Sequence, residues 1–245
     1  MRIVISQPRY LPALCYLNRL RHADLFVLLD DVQRQYLDFE NRNRIFAENG
    51  GKWLTIPIAS GRSERICRTK IAAKPWRDEH FQKLQNTYRK APFWDADVAR
   101  YLGGYDQPQE QESSLTEFTA QHLTDVCSYF GFTPNMVLSS TLDIDHETKG
   151  PEHLRDITDA VGADAYISGP NGRDYHVEVA FDDKDLFFHD YVHPVYPQKN
   201  ALFVPWLAFM DALFFIGKNA TQELIDTPLE LTDMLGNKHI HQRNR

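Results

Sequence analysis

The first 30 residues read as a strand, a helix and a second strand, and that order confines the chain to a small group of folds. Residues 3–6 are a short apolar run stopped by Gln7-Pro8. After the Tyr10-Leu11-Pro12 turn, residues 13–23 have helical spacing, with Leu14, Leu17 and Leu20 on one stripe. Residues 25–29 form a continuous apolar run that closes on Asp30-Asp31. Runs without alternation fit strands covered on both faces, as in a parallel sheet. A βαβ unit with a right-handed crossover is expected.

A second α/β stretch follows further along. Strands are expected at 136–138, 165–168 and 186–192, a strand also at 53–58, and helices at 79–91, 115–130, 152–161, 175–181 and 207–216. Ser114 and Glu117 stand at capping-box spacing before the 115–130 helix, and Gly131 offers its stop. Residues 33–51 read as polar loop, and 103–114 as an exposed connection. The expected architecture is a Rossmann-like three-layer α/β sandwich with a mostly parallel sheet, as one domain over 1–245 with a largely helical insertion around 79–131. A domain cut near 104–113 is the alternative.

Charge and cysteine content narrow the function classes. With 27 Lys and Arg against 34 Asp and Glu, the net charge is -7. Binding to phosphate backbones needs a basic surface, so nucleic acid is not an expected partner. Cys15, Cys67 and Cys127 are sparse and unpaired in spacing, which suits a reducing compartment, and the cytoplasm is the expected location. No apolar stretch reaches the roughly 20 residues of a membrane span. Gly50-Gly51-Lys52 lacks Walker spacing and no G-x-G-x-x-G occurs, so no cofactor is expected.

Four constellations carry candidate chemistry. Gln7 and Tyr10 lie in the loop after the first strand, where ligands of open α/β sheets bind; a rigid turn with Tyr10 packed inward is the alternative. Asp30, Asp31 and Gln33 end the next strand. A carboxylate there could serve as general base, with only one of the two facing the crevice because strand side chains alternate, or the pair could be a cap or Asx turn. Asn41, Arg42, Asn43 and Arg44 are dense in planar donors suited to a phosphate or carboxylate. His193, in the 189–198 stretch with Tyr196 and Gln198, is a candidate base or substrate partner, against the alternative of a packed, satisfied histidine. A metal is not expected, because His189 and His193 on a strand are too far apart to chelate.

Gln7-Pro8-Arg9-Tyr10-Leu11-Pro12, Asp30-Asp31-Val32-Gln33, Asn41-Arg42-Asn43-Arg44-Ile45, Trp53-Leu54-Thr55-Ile56-Pro57, Ser168-Gly169 and His193-Pro194-Val195-Tyr196-Pro197-Gln198 occur in the order and approximate spacing of the WbqC-like family. The chain resembles that family over about residues 3–217. It departs at Ser6, where His is usual, and at Cys15, where Gly is common. The resemblance implies transfer of a glycyl or other acyl group to an amine of an amino sugar or related metabolite, in bacterial surface-polysaccharide or natural-product biosynthesis. Its small-molecule partners would be an acyl donor and an acceptor, free or nucleotide-linked. On that reading Asp30, Asp31 or His193 removes the amine proton. Arg42 and Arg44 with Asn41 and Asn43 hold an anion, Gln7 and Tyr10 orient polar groups, and Trp53 or Tyr196 stacks on a ring. The alternatives are a nucleotide-binding or nucleotidyl-transfer enzyme of HIGH-like topology, though His-x-Gly-His is absent, and a non-catalytic protein that binds glycan precursors.

Overall fold

The computed structural model describes residues 1–243 apart from Tyr36, Asn49, Ser60, Arg62, 107–112, Asn200 and Ala201. The strands are β1 (Arg2–Ser6), β2 (Leu25–Leu28), β3 (Arg42–Ile45), β4 (Lys52–Thr55), β5 (Lys70–Ile71), β6 (Ser113–Ser114), β7 (Met136–Leu138), β8 (Ala165–Ser168), β9 (Asp185–His189), β10 (Leu229–Asp233) and β11 (Lys238–His241). The helices are α1 (Leu14–His22), α2 (Trp76–Tyr88), α3 (Ala96–Gly103), α4 (Leu115–Tyr129), α5 (Gly150–Ala160) and α6 (Met210–Asp226). The main sheet has the order β11-β10-β9-β8-β1-β2-β7, and β9, β8, β1, β2 and β7 are parallel. This is the mostly parallel sheet of a Rossmann-like sandwich. The carboxyl ends of five strands therefore share one rim.

Alternation along the strands explains the layers. Val4, Phe26, Leu28, Ile167 and Phe187 point to one face and join a cluster with Leu14, Leu17, Leu123, Val126 and Phe214. Ile3, Ile5, Val27, Tyr166, Leu186 and Phe188 point to the other and pack with Ile157, Val177 and Phe181. The central strands are apolar at every position because both faces are covered, by α1, α4 and α6 on one side and α5 with two 3-10 segments on the other.

Between β2 and β7 the chain makes an excursion carrying the β3-β4 hairpin, the β5-β6 pair and α2 to α4. Residues 42–45, read from sequence as loop, are a strand paired with β4. The expected exposed connection at 103–114 includes 107–112, which lie outside the described residues. Ser114 caps α4 by accepting the Glu117 N–H at 3.3 Å. The expected helix at 175–181 is instead two 3-10 segments, Pro170–Tyr175 and Val177–Ala180, broken by His176 at φ 51°. β9 stops at His189, three residues short of its expected end. No described helix is long and apolar enough to cross a membrane.

The expected stop at Gly217 is a kink rather than an end. α6 continues beyond it, with Gly217 at φ 81° and ψ 171°, a region essentially restricted to glycine. A Cβ there would stand 3.0 Å from the Phe93 ring. Gly217→Ala is expected to cost about 2 kcal/mol of unfolding free energy, measurable by urea denaturation, with an unchanged slope showing that the fold persists.

Candidate functional site

The rim carries, in strand order, Ser168 at the end of β8 with Gly169 after it, Gln7 after β1, Asp30 and Asp31 after β2, and Ser139 and Ser140 after β7. Leu29 donates its N–H to Ser6 O at 3.0 Å, which extends the β1-β2 pairing up to the double aspartate. Gln7 is half-buried, and its carbonyl accepts the Tyr16 hydroxyl at 3.0 Å.

Both aspartates turn toward the same partner, contrary to the expectation that strand alternation separates them. The strand ends at Leu28, so the pleat no longer dictates direction. Ser139 Oγ lies 2.5 Å from Asp31 Oδ1 and 3.2 Å from Asp30 Oδ1, and it accepts the Asp30 N–H at 3.0 Å. Asp30 is fully buried and also takes the Ser140 N–H at 2.9 Å and the Ser140 hydroxyl at 2.8 Å. It thus fastens the 3-10 turn after β7. Burial outweighs these bonds and raises its carboxyl above the usual range.

Asp31 does different work. Its Oδ2 lies 2.7 Å from His146 Nδ1 and 3.0 Å from His153 Nε2. Burial pushes this carboxyl up, but the hydrogen bonds from His153, Ser139 and His146 prevail and hold it well below the ordinary carboxylate range. His153 sits on α5, buried, with Nδ1 unpartnered. His146 is partly exposed, its side chain at 29%. Its loop is fixed from outside by Arg65, which donates to His146 O at 3.0 Å and pairs with Glu147 at 2.6 Å. With Nδ1 turned to Asp31, Nε2 is the nitrogen left for a substrate. An ionised carboxylate orienting an accessible imidazole is the arrangement of an acid–base pair.

Among the described residues, the serines and the cysteine beside it are not prepared as covalent nucleophiles. The Ser139 and Ser140 hydroxyls give their protons to the aspartates. Cys67 lies close enough to feel both carboxylates, and burial with their charge raises its thiol, which keeps it protonated. Among the described residues no group of three or more His, Cys, Asp or Glu is placed to hold a metal ion.

Several expected site residues lie elsewhere. Tyr10 is an interior residue: fully buried, its hydroxyl is 2.9 Å from His80 Nδ1 and 2.7 Å from the Tyr105 hydroxyl. Asn41 and Asn43 point inward from the hairpin and donate to Ile56 O at 2.7 Å and Leu11 O at 2.5 Å. They are buried braces, not ligands. Arg42 and Arg44 occupy the outer face. Arg42 lies 3.9 Å over the Trp53 ring and donates to Asp38 O and Leu37 O, and Arg44 donates to Gly50 O at 3.1 Å. Arg42 engages carbonyls through Nε and Nη2, and Arg44 through Nη1 alone. Trp53 is 37% exposed beside Phe39, and Gln33 is exposed in a bridge to Arg65.

His193 is the satisfied histidine. Its Nε2 accepts the Trp206 N–H at 3.1 Å, so Nδ1 carries the proton and donates to Pro194 O at 2.8 Å. Both nitrogens are committed, and burial lowers its pKa. Tyr196 and Gln198 are likewise internal, donating to Asp211 Oδ2 at 3.0 and 2.6 Å.

The sequence reading missed Ser139, Ser140, His146 and His153. The two serines directly follow an expected strand, and the carboxyl-end rule that singled out Gln7 and Asp30 applies to them equally. His146 lies in an irregular loop between Asp145 and Glu147, where no periodicity marks it.

A family model described as "WbqC-like protein family" matches residues 7–223. The chain is similar to a Mycobacterium tuberculosis protein named "Uncharacterized protein Rv1507c", with 29% identity over 228 residues, 91% of this chain and 97% of that protein. No solved structure matches significantly.

Proposed function

Starting from the fact that the chain belongs to the WbqC-like protein family, we infer that it transfers an acyl or aminoacyl group to an amine of an amino sugar or related metabolite. The observation that carries this reading is the Asp31–His146 pair on the carboxyl-end rim. An amine is itself the nucleophile and needs only to lose a proton as it attacks. His146 Nε2 takes that proton, and buried Asp31 stabilises the imidazolium that results. The acyl carbon forms a bond to the amine nitrogen while its bond to the donor's leaving group breaks. Direct attack accords with Ser139, Ser140 and Cys67, beside the pair, not being activated. Gln7, one strand away, offers an amide to orient the acceptor or the acyl carbonyl. Asp30 acts through the Ser139–Ser140 turn, as a positioning residue. Bacterial surface-polysaccharide or natural-product biosynthesis is the setting in which such a product is used.

The test incubates the purified chain with thioester and aminoacyl donors and a panel of free and nucleotide-linked amino sugars, and seeks an N-acylated product by mass spectrometry. Product that forms with the wild type and is lost with Asp31→Asn supports the reading. A panel that yields none, or an Asp31→Asn variant with full transfer, overturns it.

A further inference from the structure

The strand order reverses direction between β1 and β8: from β1 the chain proceeds to β2 on one side, while β8 and β9 lie on the other. At such a switch point the connections diverge and leave a notch above the strand ends. Arg19 of α1 enters it. A Cβ on Gly169 would stand 3.2 Å from Arg19 Nη1, so the guanidinium lies against the bare backbone that follows β8. Gly169 has φ -69° and ψ 168°, which any residue adopts. What glycine supplies here is therefore space for the arginine.

Charge around the notch is positive, although the chain as a whole carries -7. Among the described residues Arg19 has no carboxylate partner and no side-chain hydrogen bond; it only approaches the Tyr16 ring, 5.8 Å from its centroid. Arg9 leaves the same loop and holds Asp38 at a long 3.4 Å. Arg9 follows the end of β1 by three residues and Arg19 lies against Gly169 at the end of neighbouring β8, so the topology brings both to the same part of the rim. Helix α1 begins at Ala13 with no side-chain cap. The Tyr191 hydroxyl is sealed from solvent and has no hydrogen-bond partner among the described residues. His189, which also feels Arg19, is buried and neutral. Carboxylates close to these groups are Asp38 and buried Glu40 beside Arg9, and Asp190 beside His189; Asp190 is already paired with Arg173 and Lys238.

We propose that this notch binds the phosphoryl group of a phosphorylated acceptor or donor, with Arg19 as its main ligand and Arg9 as the outer one. A dianion matches two guanidiniums, and planar guanidinium suits phosphate oxygens. β8 and β2, which leads into Asp31, are separated by two strand spacings, so the notch and the Asp31–His146 pair are on the order of 10 Å apart, the scale of a phosphorylated sugar. The part played by the bound group rests on the transferase reading; the binding itself does not.

Binding of inorganic phosphate, pyrophosphate and a nucleoside diphosphate is measured by calorimetry at constant ionic strength, with malonate as the carboxylate control. The wild type binds at least one phosphoryl compound more tightly than malonate. Pyrophosphate and the nucleoside diphosphate exceeding phosphate points to a diphosphate-linked substrate, and the reverse order to a monoester. Arg19→Ala weakens binding about 10- to 100-fold, and Gly169→Ala, which crowds Arg19 without straining the backbone, weakens it less. Arg155→Ala, on the surface beside Asp183, leaves it unchanged. Malonate binding as tightly as phosphate, no binding by the wild type, or an Arg19→Ala variant that binds normally overturns the proposal. Because no turnover is needed, intact phosphate binding with failed acyl transfer removes only the transferase reading.

Discussion

His146→Ala is expected to lower turnover by about 10²- to 10⁴-fold, with little change in KM or in melting temperature. The side chain is partly exposed and touches the fold mainly through Asp31, so removing it deletes a proton acceptor without opening the core. Asp31→Asn should fall on the same scale for another reason. An amide oxygen can still accept both imidazoles at the Oδ2 position, but it is neutral, so the imidazolium loses its counter-charge. The two losses should be strongly non-additive, because each disables the same unit. His193→Ala provides the contrast. Both of its nitrogens are hydrogen-bonded within the protein, so it should shift stability more than rate. A normal rate for His146→Ala, together with a collapse for His193→Ala, would transfer the base to the 193–206 segment and end the present assignment.

Asp211→Ala should be the most destabilising change away from the rim, at about 3–5 kcal/mol near pH 5. The carboxyl is fully buried on α6 and accepts the Tyr88 hydroxyl at 3.0 Å, the Tyr196 hydroxyl at 3.0 Å and Gln198 Nε2 at 2.6 Å. Truncation strands three donors at once. Burial pushes Asp211 up from 3.8 to about 6, against the pull of the same hydrogen bonds. The folded protein therefore retains a proton that the unfolded chain has released between about pH 4 and 6. Stability from this group is fully present below pH 4 and is lost as pH rises through 6, a span of about 3 kcal/mol. His80 and His122, lowered by burial to about 4, and His189, lowered to about 3, work the other way and make stability rise with pH. The raw profile mixes both signs. The difference between wild type and Asp211→Asn cancels the histidines and should isolate the aspartate slope. A flat difference between pH 4 and 6 would refute the raised carboxyl.

The central strands were legible because residues 3–6, 25–29 and 165–168 are apolar without alternation, which only double burial explains. The start of α4 was legible because a cap is a local event, one hydroxyl and one N–H three residues apart. β3 was not, because three of its four residues are polar: Asn43 is buried as a brace beside Ile45, while Arg42 and Arg44 lie outside on Trp53. Composition cannot distinguish such a strand from a loop. Asp30 and Asp31 stood out through their place after a strand. Which one orients a base depends on a histidine 115 residues away, a distance in sequence that no local pattern spans.

β7 has only three residues and is the outermost strand on its side of the sheet. Its pairing to β2 and the Ser139 contact keep Asp31 aimed at His146. Edge elements of this kind open at lower free energy than the interior. On the transferase reading, activity is thus more fragile than the fold that surrounds it, and warming should silence it while the tightly packed interior, around Val4 and Phe26, is still intact.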